Sequence, residues 1–427
     1  MSDTPRLDQV FGCINIGSFR IAAMVAALTE DGNILVLGSH HRQAQGIKRG
    51  YVTDMAAATY AVREAMERAE KIAGQSVRKV HIGASGAGLA SRIAQVEIDI
   101  GGRRIEEEDI EHLLLEAREG LEPDGRMVLH AQPAHYTLDG AHGVANPTGL
   151  HAERLGVDVH VMLADGAPIR NITECVQNAH LEVSSVVGSP VAAGLACLSE
   201  EERELGVALV EFGAQVTNVS VFAAGMLLGL KSIPIGSADM TDAIASVFGI
   251  KRFQAERLKC RYGSAVASPS DHREMIPVDG PGDPRGGEPA RGADDHGRIP
   301  RAQLISVIAD QLDRVLKEVD RALKDMGFSG AGGRQVVITG GGAELAGIAD
   351  YAQGSLGSPV RIGKPPELDG LAEAHRVPAF ATLAGLALYA ARDPVDIRVL
   401  RPRHQQQDVI GFPALAGKVW RAMREYF

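Results

Sequence analysis

The chain has 427 residues, 45% of them hydrophobic, and a formal net charge of −10. That length exceeds one typical core and predicts two or more domains. The acidic balance leaves no broad basic face to displace counterions, which excludes nucleic acid as a general partner. Four cysteines (Cys13, Cys175, Cys197, Cys260) are scattered without a CxxC pair or metal-ligand spacing, so they read as reduced core thiols in a cytosolic protein. The opening MSDTPRLDQV has no basic region followed by an apolar run, and no apolar segment reaches the roughly 18–20 residues that span a bilayer.

In chain order, Val10–Leu28 is two strand-like runs joined at Ile16-Gly17-Ser18-Phe19-Arg20, and Val207–Ala224 repeats that plan. Setting Gly17 on Gly213 puts Asn15 against Glu211. Two hairpins of one design predict an internal duplication, and hairpin turns whose amides face a cleft are suited to phosphate. Two unrelated hairpins are the plainer reading.

Met55–Ala73 is an amphipathic helix with Val62, Met66, Ala69 and Ile72 on one face. Val80–Ser85 is a strand. From 86 to 162 the pattern changes to short strands (Arg92–Ile100, Val157–Met162) and a helix (Glu107–Arg118), which reads as a small inserted α+β domain. The second half begins near Glu204. Ala238–Phe248 and Gln254–Tyr262 are helical, and Glu256 and Lys259 form what is ordinarily a surface i,i+3 ion pair. Gly280–Gly297 holds six glycines and three prolines and reads as a disordered loop. Pro300–Met326 is a long helix with Leu304, Ile308, Leu312, Val315 and Val319 on one side.

Gln335–Ile348 (QVVITGGGAELAGI) runs from a strand through Gly340, Gly341 and Gly342 into a helix opening at Ala343–Glu344. Glycines at such a turn let amides approach an anion or nucleoside, and the helix end adds partial positive charge. The spacing is neither a P-loop nor a dinucleotide fingerprint.

The chain ends in GFPALAGKVWRAMREYF. On a helical wheel Phe412, Leu415, Val419, Trp420, Met423, Tyr426 and Phe427 fall within an arc of roughly 160°. Lys418, Arg421, Arg424 and Glu425 lie opposite. A basic, tryptophan-bearing amphipathic end on an acidic protein fits an interfacial helix on anionic lipid. A terminal helix docked on its own core is the competing reading; the polar linker before it weighs against that. One such helix holds a monomer marginally, so firm attachment calls for several tails in one assembly.

Together these residues resemble the bacterial cell-division FtsA family, within the actin/Hsp70/sugar-kinase superfamily. The resemblance covers the first hairpin, RGYVTDMAAAT (Arg49–Thr59), NPTGL (Asn146–Leu150), SEEERELGVALVEFG, IPIGSADMTDAIASVFG, AERLKCRYG, ITGGGAELAGI and the tail.

It implies an α/β, actin-like, two-lobed fold with an inserted subdomain. The parts would be 10–85 and 163–203 for one subdomain and 86–162 for the insert. In the second half, 204–240 and 331–400 would flank 241–330. A linker would occupy 401–411 and a membrane-targeting helix 412–427.

The resemblance also implies ATP in the cleft, with Gly17, Ser18, Phe19, Arg20, Gly213, Ala214, Gln215 and Gly236 near phosphates. Glu256, Lys259 and Gly340–Gly342 would then lie near the nucleoside. It implies binding of the C-terminal tail of the tubulin-like FtsZ, with Arg301 supplying a cation. Self-association, recruitment of later division proteins and residence at the cytoplasmic face of the inner membrane follow from the same likeness. Phe412, Leu415, Lys418, Val419, Trp420, Arg421, Met423, Arg424 and Phe427 would contact lipid.

Two departures stand out. Asn15 occupies a place where the family usually has a carboxylate. Glu211-Phe212-Gly213-Ala214-Gln215-Val216 replaces the usual Asp-x-Gly-Gly-Gly-Thr. Magnesium is held through oxygens, so the expectation is little or no ATP hydrolysis and weakened ATP binding, with an adaptor rather than an enzyme. ATP would then be a structural or switch ligand that braces the angle between the halves and sets readiness to polymerise. The alternatives are a working ATPase or kinase with Glu211 as its carboxylate, or a pilus-assembly relative.

Overall fold

The structure is a computed structural model that describes residues 7–86, 88–280, 290–294, 296–328 and 334–400. The linker 401–411, the amphipathic segment 412–427 and residues 281–289 of the glycine- and proline-rich stretch lie outside the described residues.

Two five-stranded sheets share one plan. The first runs Glu182–Gly188, Lys79–Ala84, Leu7–Ile16, Arg20–Thr29, Ile34–Gln43. The second runs Val360–Ile362, Val336–Thr339, Val207–Phe212, Thr217–Ala223, Met226–Ile233. In each, the three outer strands form an antiparallel meander, and parallel strands continue from its first member. The central hairpins close on Ile16 opposite Ile21 and on Phe212 opposite Thr217, leaving the same four-residue turn. The duplication inferred from Gly17 and Gly213 therefore extends to whole sheets.

Each sheet is covered by helices whose spacing dictates the buried face. Met55–Ala73 starts at Asp54, whose side chain accepts from Ala57 N, and stops at Gly74 in the left-handed region. It buries Val62, Met66 and Ala69 but leaves Ile72 exposed, because the last turn meets the sheet through Ala69 and Ala73, which lie against Gly38. Arg301–Asp325 buries Leu304, Ile308, Leu312, Val315 and Val319 against the second sheet.

Residues 290–294 do not fit the disorder reading: Ala290 and Ala293 pack on the same core, and Arg291 N donates to Phe248 O. Cys13, Cys175 and Cys197 are buried free thiols, whereas Cys260 is exposed.

Between the sheets, the helices Ser189–Cys197 and Ala381–Arg392 cross so closely that a Cβ on Gly385 would lie 1.8 Å from the Ala192 carbonyl oxygen. Ala193, Leu209, Val337 and Ala381 form a dry seam with Leu129 and Met162 of the inserted region. That region is an antiparallel sheet ordered Ala90–Asp99, Arg154–Ala164, Met127–Leu138, Ala141–Val144, covered by the helix Glu107–Glu119. Met127–Leu138 escapes a sequence reading because Pro133 interrupts it. The partner strand accommodates the proline at a register shift between Asp158 and Val159. The chain then returns to this region: Ile397 is fully buried in its core, and Arg118 Nη1 donates to Leu400 O at 2.6 Å.

Candidate nucleotide cleft

The two hairpin turns face one another at the carboxyl ends of the parallel strands, where open α/β sheets place ligands. Gly17 N donates to Arg20 O at 3.1 Å and Gly213 N to Val216 O at 3.0 Å. A Cβ at either glycine would approach that same carbonyl to 2.9 and 2.6 Å respectively, so turn geometry alone requires glycine at both. Phe19 is exposed, and the Arg20 guanidinium lies 4.9 Å from the Phe380 ring centroid. Gly236 is equally constrained, since Ala214 backbone atoms would stand 2.5 Å from its Cβ. The amides of Ser237 and Ala238, which open the next helix, donate to Gly213 O and Ala214 O at 3.0 and 2.7 Å. Those helix-terminal donors are thus met by the turn itself.

The loop Arg49–Gly50 sits between the turns. Gly50 N donates to Ser18 Oγ at 3.2 Å, and Arg49 N to Gln215 Oε1 at 2.8 Å. Beneath it Glu211 is buried. Its Oε2 accepts from Ser189 Oγ at 2.6 Å and Asn218 Nδ2 at 2.9 Å, and its Oε1 from Thr382 Oγ1 at 2.6 Å. Asn218 Nδ2 also reaches Ser85 Oγ at 3.0 Å. This carboxylate is met by three neutral donors, two of them from the crossing helices.

Glu256 and Lys259 form more than the surface pair that their spacing suggests. Lys259 is buried, and its Nζ donates to Ser237 O (3.1 Å), Thr241 Oγ1 (2.9 Å) and Glu256 Oε2 (2.8 Å). Burial pushes the Glu256 carboxyl up, but the Lys259 charge and the hydrogen bonds outweigh it and hold it below its usual range.

The glycine triplet divides by role. Gly340, at φ 87°, packs on the Phe212 backbone and Gly342 on the Phe212 ring, while a Cβ at Gly341 would meet only Ala379, at 3.9 Å. The sequence placed an α-helix at Ala343–Glu344. Instead, Gly341–Glu344 is a single 3-10 turn, Leu345 is extended, and the α-helix Ile348–Leu356 starts after Gly347 at φ 74°. Gly347 was the legible breaker.

The family model described as cell division protein FtsA matches residues 208–385, and that of the SHS2 domain inserted in FTSA matches 86–163. Cell division protein FtsA of Agrobacterium fabrum is 33% identical over 399 residues, covering 91% of this chain and 88% of that one. The chain belongs to the FtsA family.

FtsA of Pseudomonas aeruginosa is 29% identical, covering 90% of this chain and 89% of its own, and FtsA of Escherichia coli K12 is 28% identical, covering 88% and 89%. Among solved structures, the PilM-PilN type IV pilus biogenesis complex aligns with a TM-score of 0.60 at 18% identity, over 89% of this chain and 98% of that chain. MreB5 of Spiroplasma citri bound to ADP aligns at 0.52 and 11%, over 90% and 98%. These likenesses establish the actin-like fold alone.

Actin-like folds lead one to expect a metal-bound triphosphate between the turns; in this chain the side chains that line that space are engaged with one another. Gln215 is tied to Arg49 N, the lone pairs of Glu211 face Ser189, Asn218 and Thr382, and Lys259 is spent on protein acceptors. Among the described residues no group of three or more His, Cys, Asp or Glu side chains could hold a metal. At the glycine turn expected to meet the nucleoside, a Cβ on Gly341 has room.

Ser85, Ser189, Asn218 and Thr382 went unremarked in the sequence. Their one signal is position: Ser85 and Ser189 directly follow the parallel strands Lys79–Ala84 and Glu182–Gly188.

Arg301, the cation expected to meet an acidic peptide, is also engaged within the chain. Its Nη1 meets Asp271 Oδ1 at 2.7 Å and Glu274 Oε2 at 3.1 Å, and its Nε donates to Tyr262 O at 3.0 Å. The residues from Phe412 to Phe427 that are expected to contact lipid lie outside the described residues.

Proposed function

We propose that this member of the FtsA family is a cell-division adaptor that tethers FtsZ polymers to the cytoplasmic face of the inner membrane, self-associates and recruits later division proteins. The observation that carries it is the segment 412–427, apolar and aromatic on one face and basic on the other, on a body of the FtsA family. Among the described residues no helix is long and apolar enough to cross a membrane, so attachment would rest on that interfacial segment and on linkage of many copies. Its root is fixed, because Ile397 is buried in the inserted region and Arg118 holds Leu400 O.

Nucleotide turnover is no part of this role. Glu211, the carboxylate a kinase or ATPase reading needs, is committed to Ser189, Asn218 and Thr382. Steady-state phosphate release from Mg·ATP tests this directly. The adaptor reading expects release at the level of a protein-free blank, and release that saturates with ATP and scales with protein would restore the enzyme reading.

A further inference from the structure

We propose that the two lobes of this chain are held closed by its own side chains, in the space where an actin-like cleft would close on a metal-bound triphosphate, so that closure does not depend on nucleotide. The latch has two layers. The inner one is buried: Glu211 and Asn218 of the second lobe take hydrogen bonds from, or give them to, Ser85, Ser189 and Thr382. Every bond in it pairs a buried polar group that would be costly to leave unmade, so opening the lobes exposes or orphans several at once.

The outer layer is the loop Arg49–Gly50. Both residues are left-handed (φ 51° and 81°), a conformation that an arginine adopts only when its surroundings impose it. That conformation aims Arg49 N at Gln215 Oε1 and Gly50 N at Ser18 Oγ, so one loop joins the first hairpin turn to the second. Arg49 also lies 3.9 Å from Asp239 Oδ1. The fit at the second turn is steric as well, because Gly86, at φ 80°, leaves only 2.8 Å between a Cβ placed there and the Val216 side chain.

Gln215 and Val216 thus fill, from within the chain, the gap that glycines and a threonine would leave for phosphate. Two backbone amides that could face an anion have side-chain oxygens instead.

Amide hydrogen exchange of the full-length chain, read by mass spectrometry with no lipid or partner present, tests the latch without engaging the tether reading. The expected result is slow exchange across 47–53 and 213–218 that 2 mM Mg·ATP leaves unchanged. Gln215→Gly should speed exchange at Arg49 by about five- to tenfold. Gln215→Glu, which keeps an acceptor at the same reach, should restore slow exchange. Exchange across 336–339 in all three proteins reports that the fold is intact. Protection of either segment by Mg·ATP in the parent chain, or exchange at Arg49 that ignores Gln215→Gly, overturns the proposal.

Discussion

Ser189 Oγ donates to Glu211 Oε2 across 2.6 Å, joining a helix of the first lobe to the central strand of the second. Glu211 thereby serves cohesion between the lobes. Glu211→Ala would leave the hydroxyls of Ser189 and Thr382 with buried donors unmet, at a cost of about 3 kcal/mol. Urea denaturation measures it; a loss below about 1 kcal/mol would mean the network is not closed as described.

The crossing of the two inter-lobe helices gives a sharper contrast. Gly385→Ala sets a methyl against the Ala192 carbonyl and should cost about 1–3 kcal/mol. Gly354→Ala, in the helix Ile348–Leu356 with nothing within 4 Å, should stabilise by about 0.5–1 kcal/mol. Equal effects in thermal melts would contradict the close crossing.

Acid should loosen the inserted region early. Burial pushes His160 down to about 4 and His130 well below its ordinary value. A histidine whose folded pKa is depressed is protonated first in the unfolded chain, so its contribution is complete above pH 6.5 and is lost as pH falls from 6.5 toward 4. Glu256 works lower, since its contribution is lost only as pH falls through its depressed folded pKa. For His160 the loss at pH 5 is about 2 kcal/mol. His160→Phe should flatten the fall in unfolding free energy between pH 7 and 5 by that amount; an unchanged slope would show that His160 does not titrate on unfolding.

Arg301 invites a charge test. Glu274 is half-exposed and shares Arg301 with the buried Asp271. Glu274→Gln releases part of that cation and should tighten an acidic FtsZ tail peptide roughly threefold. Fluorescence anisotropy reads the change, and no effect, or weaker binding, would place the peptide away from Arg301.

Much of the architecture was legible because it is local and repeated. The turns at Gly17 and Gly213, the apolar stripe from Leu304 to Val319 and the change of character at 86 are all written in short-range pattern. The cleft chemistry was less so. Glu211 draws its partners from Ser189 and Thr382, far along the chain, and spacing cannot say whether a carboxylate is poised or tied. Lys259 looked like a surface charge because Ser237 and Thr241, on the preceding helix, turn it inward only once the two helices pack. Gly340 and Gly342 read as a nucleoside turn; the packing of Phe212, with the positive φ of Gly340, accounts for glycine at both, and a Cβ at Gly341 would meet only Ala379.

The most direct test of the tether is co-sedimentation of FtsZ polymers with vesicles containing anionic lipid, comparing the full chain with one lacking residues 412–427. The account predicts that FtsZ pellets with vesicles when the full chain is present and falls to the no-adaptor level without the segment. FtsZ still brought to the vesicles by the shortened chain would contradict it.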